Sequence, residues 1–398
     1  MNSKNSNPTT NRTISLLYIY ALLSGSLLSI PFYMLYFQHY GVSLTEIGVS
    51  FLFFAGVPLL FEVPSGVWAD KYSRKNVVIV GELLLVVSFV MWIMSPSAIS
   101  LYIGNILWGI RNSLYSGTFD AYVYDYLKNN KQEKSYPKIR AKLSSLFPFG
   151  IGIAGIIGYF ILPAYGIAIV MTSSLVFQLV KIAVLAFLPQ AKPQKQLTDS
   201  RLFNYVAESF RFVKKFPHVG WVMAYSMFFS GFYYTIAEYL SPLIQDKIPQ
   251  IAVIGLVVAV GHFMRSAGIA LFPRMFDKAE LRYRLFPLLI VVIGLAASMV
   301  TGYIGVGLLL ISQFFGEAFV NQNEVIVQKQ IPSAIRATIL SVQYFIGGAP
   351  IAIILWVFGV VADKSLTHAL QFAMMGMGLL WLISLFIISQ KEIRKSLS

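Results

Sequence analysis

Residues 66–75 read GVWADKYSRK and form a short polar turn between two long apolar stretches. The stretches, roughly 44–69 and 77–95, are each long enough to cross the ~30 Å hydrocarbon core of a bilayer. Basic residues collect on the cytoplasmic side of membrane proteins. The turn is therefore predicted to lie at the inner surface of a membrane, between two transmembrane helices.

Apolar stretches of this kind recur along the whole chain. Of its 398 residues, 57% are hydrophobic and only 12% are charged, whereas a soluble chain carries roughly 25% charged residues. We predict an all-α polytopic membrane protein with twelve transmembrane helices. They are placed at roughly 14–38, 44–69, 77–95, 98–127, 139–162, 166–188, 218–244, 250–276, 283–302, 304–330, 335–361 and 367–389.

The basic residues are distributed very unevenly between the predicted loops. With the N-terminus inside, 26 of the 31 Lys and Arg residues fall in inner segments, which is a strong positive-inside signal. The net charge of +14 therefore reports topology, with both termini cytoplasmic, and does not indicate a nucleic-acid partner. The polar residues 1–13 do not resemble a cleaved signal peptide.

The longest inner segment divides the chain into two halves. We predict a cytoplasmic tail at 1–13, a six-helix bundle at 14–188, a linker with an amphipathic helix on the membrane surface at 189–217, a second six-helix bundle at 218–389, and a tail at 390–398. The tripeptide Ile-Arg-Ala recurs at 139–141 and 335–337, on the inner side before corresponding helices. This favours duplication of a six-helix unit.

The residue types in the 66–75 turn have physical roles that can be stated directly. Gly66 allows two helices to approach closely. Asp70 can accept hydrogen bonds from the N-terminus of a neighbouring helix, where the helix dipole favours an anion. Lys71 adds to the inner-side positive charge.

Two further basic residues of the turn can form ion pairs. Arg74 and Lys75 are predicted to pair with Asp120 and Asp125 at the inner end of the fourth span. Such pairs would hold an inner gate closed and break when the gate opens. The alternative is that these basic residues only anchor the topology.

The turn resembles the signature loop of the major facilitator superfamily, Gly-x-x-x-Asp-Arg/Lys-x-Gly-Arg-Arg/Lys, with Ser73 in place of the second glycine. The resemblance implies two pseudo-symmetric six-helix bundles and a gating role for the loop. The stretches FEVPSG at 61–66 and GTFDA at 117–121 are similar to those of bacterial drug-efflux branches.

Glycines are concentrated in the predicted fifth span, at 150, 152, 155 and 158, after Pro148. They form a smooth face for close helix contact. They also resemble a degenerate form of the glycine-proline motif of antiporters in the same superfamily, although Phe147 replaces its glycine. Both interpretations remain open.

Ionisable residues inside a membrane are costly unless paired, so each is a candidate for substrate binding or proton coupling. By helix rise, Arg265 and Glu317 lie within roughly 3 Å in depth, which predicts an ion pair, either static or coupling. Arg111 lies higher and is expected to face the central cavity alone, where it would attract an anionic or zwitterionic group. The candidates are Glu62, Arg111, Asp120, Glu238, His262, Arg265 and Glu317.

Several of these candidates also have simpler interpretations. Glu62 and Asp120 can serve packing or the gate, and Glu238 can reach outer water. His262 is a natural proton carrier near neutral pH, although a lone histidine can also be an ordinary packed residue.

We therefore expect a secondary active transporter that works by alternating access. The preferred activity is proton-coupled efflux of a drug-like or natural-product molecule; the alternative is proton-coupled uptake of a nutrient or siderophore-like organic anion. No enzyme motif, cysteine or metal-ligand spacing is present in the sequence, so no cofactor is expected beyond the proton gradient. A monomer in a bacterial inner membrane is expected, with the lipid bilayer and a small-molecule substrate as its partners.

Overall fold

The computed structural model describes residues 8–190, 211, 214, 216–275, 279–330 and 336–388. Helices dominate these residues, and no β-strand occurs among them. The helices are α1 Pro8–Gly25, α2 Ser29–His39, α3 Leu44–Lys71, α4 Arg74–Met94, α5 Ala98–Tyr115, α6 Thr118–Asn129, α7 Tyr136–Tyr165, α8 Ile169–Phe187, α9 Pro217–Glu238, α10 Leu240–Lys247, α11 Ile251–Met275, α12 Ala279–Met299, α13 Gly302–Gln330, α14 Arg336–Ala362 and α15 Leu366–Ile388.

Many of the helices match membrane dimensions. Six helical stretches of the described residues are long and apolar enough to cross a membrane, and four shorter apolar stretches lie within α3, α11, α12 and α14. Those four helices have 28, 25, 21 and 27 residues in full, and about 20 residues are needed to cross the hydrocarbon core. The all-helical membrane fold is confirmed, while the count of twelve spans stays a prediction.

Three of the predicted spans are broken. The span predicted at 14–38 is interrupted between α1 and α2, the span at 98–127 between α5 and α6, and the span at 218–244 at Tyr239, between α9 and α10. Gly117, at the second break, has a φ of 67°, a conformation that glycine adopts without the steric cost of a side chain. The predictions of continuous helices were wrong here, because hydropathy does not register a local change of backbone direction.

The chain groups into two compact units. The first contains Met1–Val42 and Phe53–Thr198, and the second contains Ser43–Leu52 and Asp199–Ser398. The amphipathic helix predicted within 189–217 lies almost entirely outside the described residues.

Glycine permits the close contact between α7 and the first two helices. A Cβ on Gly150 would lie 2.5 Å from the carbonyl oxygen of Leu22, and a Cβ on Gly158 would lie 2.3 Å from the ring of Phe32. Both contacts need a residue without a side chain. The predicted packing role is therefore confirmed for Gly150 and Gly158, and the resemblance of the glycine-rich stretch to an antiporter motif stays a prediction.

The second unit includes the start of α3, although the sequence analysis assigns this segment to the first bundle. Asp363 accepts hydrogen bonds from the backbone N–H groups of Leu44 and Thr45, at 2.7 and 2.8 Å. Tyr239 bonds the carbonyl oxygen of Leu44 at 3.2 Å. A carboxylate distant in sequence thus satisfies N–H groups that have no partner within their own helix.

We expect Gly150→Ala to lower the melting temperature of the purified protein. The new methyl group meets backbone atoms of α1 that cannot rotate away, and such overpacking costs about 1–3 kcal/mol. Intrinsic tryptophan fluorescence during heating measures the change. The matched control is Gly307→Ala, because a Cβ at Gly307 meets nothing within 4 Å. Equal melting temperatures for the two variants would show that the α1–α7 contact does not need glycine.

Candidate functional site

The 66–75 turn forms part of the predicted ion-pair cluster. Arg74 donates to Asp125, and the side chains of both residues are almost completely buried, with 5% and 4% exposed. The predicted ion pair is confirmed for these two residues, while the side of the membrane on which it lies stays a prediction. A buried pair of this kind holds two helices in one arrangement as long as it is intact.

The other basic residue predicted to pair with these acids binds carbonyl groups instead. The Lys75 ammonium donates to the carbonyl oxygens of Ala186, at 2.7 Å, and of Leu188. These carbonyls lie at the C-terminal end of α8, where free carbonyl groups attract a cation. The predicted pairing of Lys75 with an acid was therefore wrong; sequence patterns do not show which helix end comes close.

Asp120 likewise has a different partner from the one predicted. It pairs with Arg140 of α7 at 2.7 Å, and the two side chains are 36% and 41% exposed. The structure does not describe the side chains of Glu62 and Asp70 or the surroundings of Gly66, so their predicted roles stay predictions. Lys71 is exposed.

A cluster of charges that the sequence analysis did not assemble lies inside the first unit. Its centre is Glu82, whose side chain is fully buried. One carboxylate oxygen, Oε1, accepts from the Tyr20 hydroxyl at 2.6 Å and from Arg111 at 2.6 and 3.2 Å. The other, Oε2, accepts from Lys181 at 2.6 Å and from the Gln178 amide at 2.8 Å.

The prediction that Arg111 stands alone was therefore wrong. The prediction counted the depth of Arg111 along one straight helix. The helix is broken after Arg111, between α5 and α6, so this count does not give its depth. Glu82, Arg111 and Lys181 fall within the predicted spans at 77–95, 98–127 and 166–188 of the first bundle. Since charged groups inside a membrane need partners, the presence of one acid and two cations in these spans was the signal that could have found the cluster.

The second unit contains a smaller ion pair with a related pattern. Arg265 donates to Glu317 Oε2 at 2.7 and 2.8 Å, which confirms the predicted ion pair. The Tyr233 hydroxyl reaches the same oxygen at 3.0 Å. Thus, in each unit, one glutamate oxygen accepts hydrogen bonds from an arginine and from a tyrosine. The tyrosine lies on a helix near the start of its predicted bundle.

The two pairs differ in how completely the carboxylate is surrounded. Glu317 is 12% exposed and Arg265 is 19% exposed, and within the described part of the chain no polar group contacts Glu317 Oε1. Both oxygens of Glu82 are occupied and its side chain is fully buried. The second-unit carboxylate therefore has room for a proton or a ligand group, and the first-unit carboxylate does not.

Two other candidates lie on α9, which carries Tyr233, and on α11, which carries Arg265. Glu238 is exposed at the last position of α9, just before the break at Tyr239. His262 is half-buried on α11, one turn before Arg265. Neither forms an ion pair within the described residues, and no group of three potential metal ligands occurs there.

Replacing Glu82 by Gln is expected to destabilise the protein strongly. The change leaves Arg111 and Lys181 buried without a counter-charge, and removing one partner of a buried pair costs about 3–5 kcal/mol. Adding Lys181→Met should recover part of the lost melting temperature, because it removes one of the stranded charges. The control is Glu133→Gln, an exposed acid. A double variant no more stable than Glu82→Gln would contradict the charge-balance explanation.

The chain is similar to several known transport proteins. It is 23% identical to YxaM of Bacillus subtilis (strain 168), described as an uncharacterised MFS-type transporter, over 273 residues that cover 67% of each chain. The nucleoside transporter NupG shares 16% identity with a TM-score of 0.78, covering 97% of this chain and 100% of its own. A D-xylose-proton symporter shares 13% with a TM-score of 0.69, covering 96% and 97%.

These two structural similarities establish the fold alone. The sequence profile of the Major Facilitator Superfamily, in contrast, matches residues 14–355, which is most of the chain. This protein therefore belongs to the Major Facilitator Superfamily of membrane transporters.

Proposed function

We propose that this protein is a secondary active transporter that exchanges protons for a drug-like or natural-product molecule and exports it. The bundles at 14–188 and 218–389 would rock about a substrate site, which would face the two sides of the membrane alternately. The proton gradient would supply the energy without a cofactor, in a monomer in a bacterial inner membrane with both termini cytoplasmic.

The observation that carries proton coupling is the arrangement around Glu317. Three hydrogen bonds, two from Arg265 and one from Tyr233, converge on Oε2, while Oε1 has no polar partner among the residues that the structure describes. A proton on Oε1 would cancel the negative charge that holds Arg265. Protonation would thereby weaken the ion pair and release the guanidinium, which links proton binding to a change in helix packing.

Export is supported by the resemblance of 61–66 and 117–121 to drug-efflux branches. The alternative, proton-coupled uptake of a nutrient or siderophore-like organic anion, draws support from the similarity in fold to a D-xylose-proton symporter and a nucleoside transporter. Packing against α1 and α2 accounts for Gly150 and Gly158 of α7 without an antiporter motif, so export does not rest on these two glycines.

We expect Glu317→Gln to abolish substrate-driven proton movement. Inverted membrane vesicles with an imposed pH gradient, probed with cationic, zwitterionic and anionic amphiphiles, provide the assay. The amide of Gln does not bind and release a proton as a carboxylate does, so it cannot switch the ion pair with Arg265 on and off. The substrate-driven fluorescence change of a pH-sensitive dye should therefore vanish. The exposed-acid variant Glu133→Gln should behave as wild type. Persistent coupling in Glu317→Gln would exclude this residue as the proton carrier.

The direction of transport is tested in the same membranes. Export predicts that substrate accumulates in inverted vesicles and collapses their pH gradient. Accumulation seen only in right-side-out cells would replace export by uptake and leave the proton-coupling residue unchanged.

The gating role of the buried Arg74–Asp125 pair is tested separately. Arg74→Gln should slow transport several-fold, because Asp125 is left buried without its partner. Charge reversal, Arg74→Asp with Asp125→Arg, should restore part of the rate if the pair itself is required. Lys138→Gln, an exposed inner-side cation, is the control. A reversed pair as slow as Arg74→Gln would contradict a gating role for the ion pair.

A further inference from the structure

The buried cluster of the first unit has unequal numbers of positive and negative groups. Glu82 is its one carboxylate, and it binds two cations, Arg111 and Lys181. The other two contributors, Tyr20 and Gln178, are neutral hydrogen-bond donors. The cluster therefore holds one positive charge in excess, in a place where an unpaired charge is costly.

The acids that the structure describes around this part of the first unit do not offset the excess. The next acid along the chain after Arg111, Asp120, pairs with its own partner, Arg140, at 2.7 Å. Asp125 is bound to Arg74. Within the described part of the first unit, the excess positive charge has no further counter-charge.

Only one of the two cations can meet a ligand. Lys181 is 1% exposed and Glu82 is fully buried, whereas 13% of the Arg111 side chain is exposed. A guanidinium has five N–H donors, and the contacts to Glu82 and Asn112 use one on each of its three nitrogens. Among the described residues, no acceptor meets the remaining N–H on each terminal nitrogen.

The guanidinium is also held in a defined orientation. It lies over the Tyr115 ring, with 4.2 Å between the guanidinium carbon and the ring centroid, and such stacking is favourable for a cation. Glu82 holds it on one side and Asn112 on another. A fixed planar guanidinium with free donors suits a planar carboxylate, which it can bind through two parallel hydrogen bonds.

We propose that Arg111, with Lys181 behind it, binds the carboxylate of an organic acid, so that the transported molecule is an organic anion. The claim that this anion is transported rests on the proposed function. The claim that Arg111 binds a carboxylate rests on the charge excess. Lys181 adds positive charge without touching the ligand and is therefore a positioning residue. It pairs with Glu82, so that the charge of this carboxylate is shared and does not fully neutralise Arg111.

The test uses purified protein and does not require transport. The probes are salicylate, indole-3-acetate and 2-naphthoate, each compared with its own neutral carboxamide, and thermal stabilisation is followed as a function of concentration. We expect at least one carboxylate to stabilise the protein while its carboxamide does not. Matched ionic strength, set with sodium chloride, separates this from a general salt effect.

The variants identify the site. Arg111→Gln should weaken binding of that carboxylate by about tenfold or more, as expected when a charge-assisted hydrogen bond is lost. Lys181→Met should fold, because Arg111 and Glu82 remain a balanced pair, and it should also weaken the carboxylate without affecting any carboxamide. Lys138→Gln should bind as wild type does. A purely structural Lys181 would leave carboxylate affinity unchanged.

Two outcomes would overturn the proposal: wild-type protein stabilised by no carboxylate in preference to its carboxamide, or carboxylate binding that survives Arg111→Gln in a folded variant. Failure of the proposed function is distinguishable. Carboxylate-selective binding that needs Arg111, without any proton movement, would retain the anion site and reject proton coupling. Proton-coupled transport of neutral compounds alone would retain proton coupling and reject the anion site.

Discussion

The first unit depends on the hydrogen bonding of one carboxylate. Glu82 has no exposure to solvent, so every interaction that keeps it ionised must come from the protein. Hydrogen bonds reach both of its oxygens from four side chains, which lie on α1, α5 and α8. Because α4 carries the acceptor, one group ties four helices together. Loss of the acceptor would leave polar donors inside an apolar core.

The same requirement explains the differences between the two units. In the second unit, one arginine and one tyrosine bind one oxygen of Glu317, and the side chain keeps some exposure. Among the described residues, both oxygens of the acid in the first cluster are hydrogen-bonded and the cluster has excess positive charge, whereas the second cluster has one charge of each sign and one acid oxygen without a partner. A saturated acid is suited to holding helices together, and an open one to exchanging a proton. This difference between the two acids is the physical basis for proposing proton coupling at Glu317 and anion binding at Arg111.

Two of the helix breaks lie close to ionisable residues. Arg111 lies above the break between α5 and α6, and Glu238 lies directly before the break between α9 and α10. Irregular backbone within a membrane protein occurs where the protein buries it or where it lines a polar space. Breaks beside ionisable residues are therefore consistent with a role in solute passage, in line with the superfamily to which the chain belongs.

The sequence by itself determined the class of protein, because membrane insertion depends on properties that are local in sequence. Apolar length, the distribution of Lys and Arg, and the 66–75 turn were sufficient for the membrane fold and the superfamily. Equal depth was sufficient to pair Arg265 with Glu317, since helix rise is constant over short distances. Arg74 with Asp125 was predicted for the same reason: both lie at helix ends on one predicted surface.

Only the tertiary structure decided the partners of Lys75, Arg111 and Asp120. Arg111 was misplaced because the chain breaks between α5 and α6, and Lys75 was given an acid because the end of α8 could not be located from its sequence. The cluster of Glu82, Arg111 and Lys181 joins residues 29 to 99 positions apart. Pairing across such separations depends on how each helix is rotated and on the close helix contacts that residues such as Gly150 permit. Both are properties of packing and not of composition.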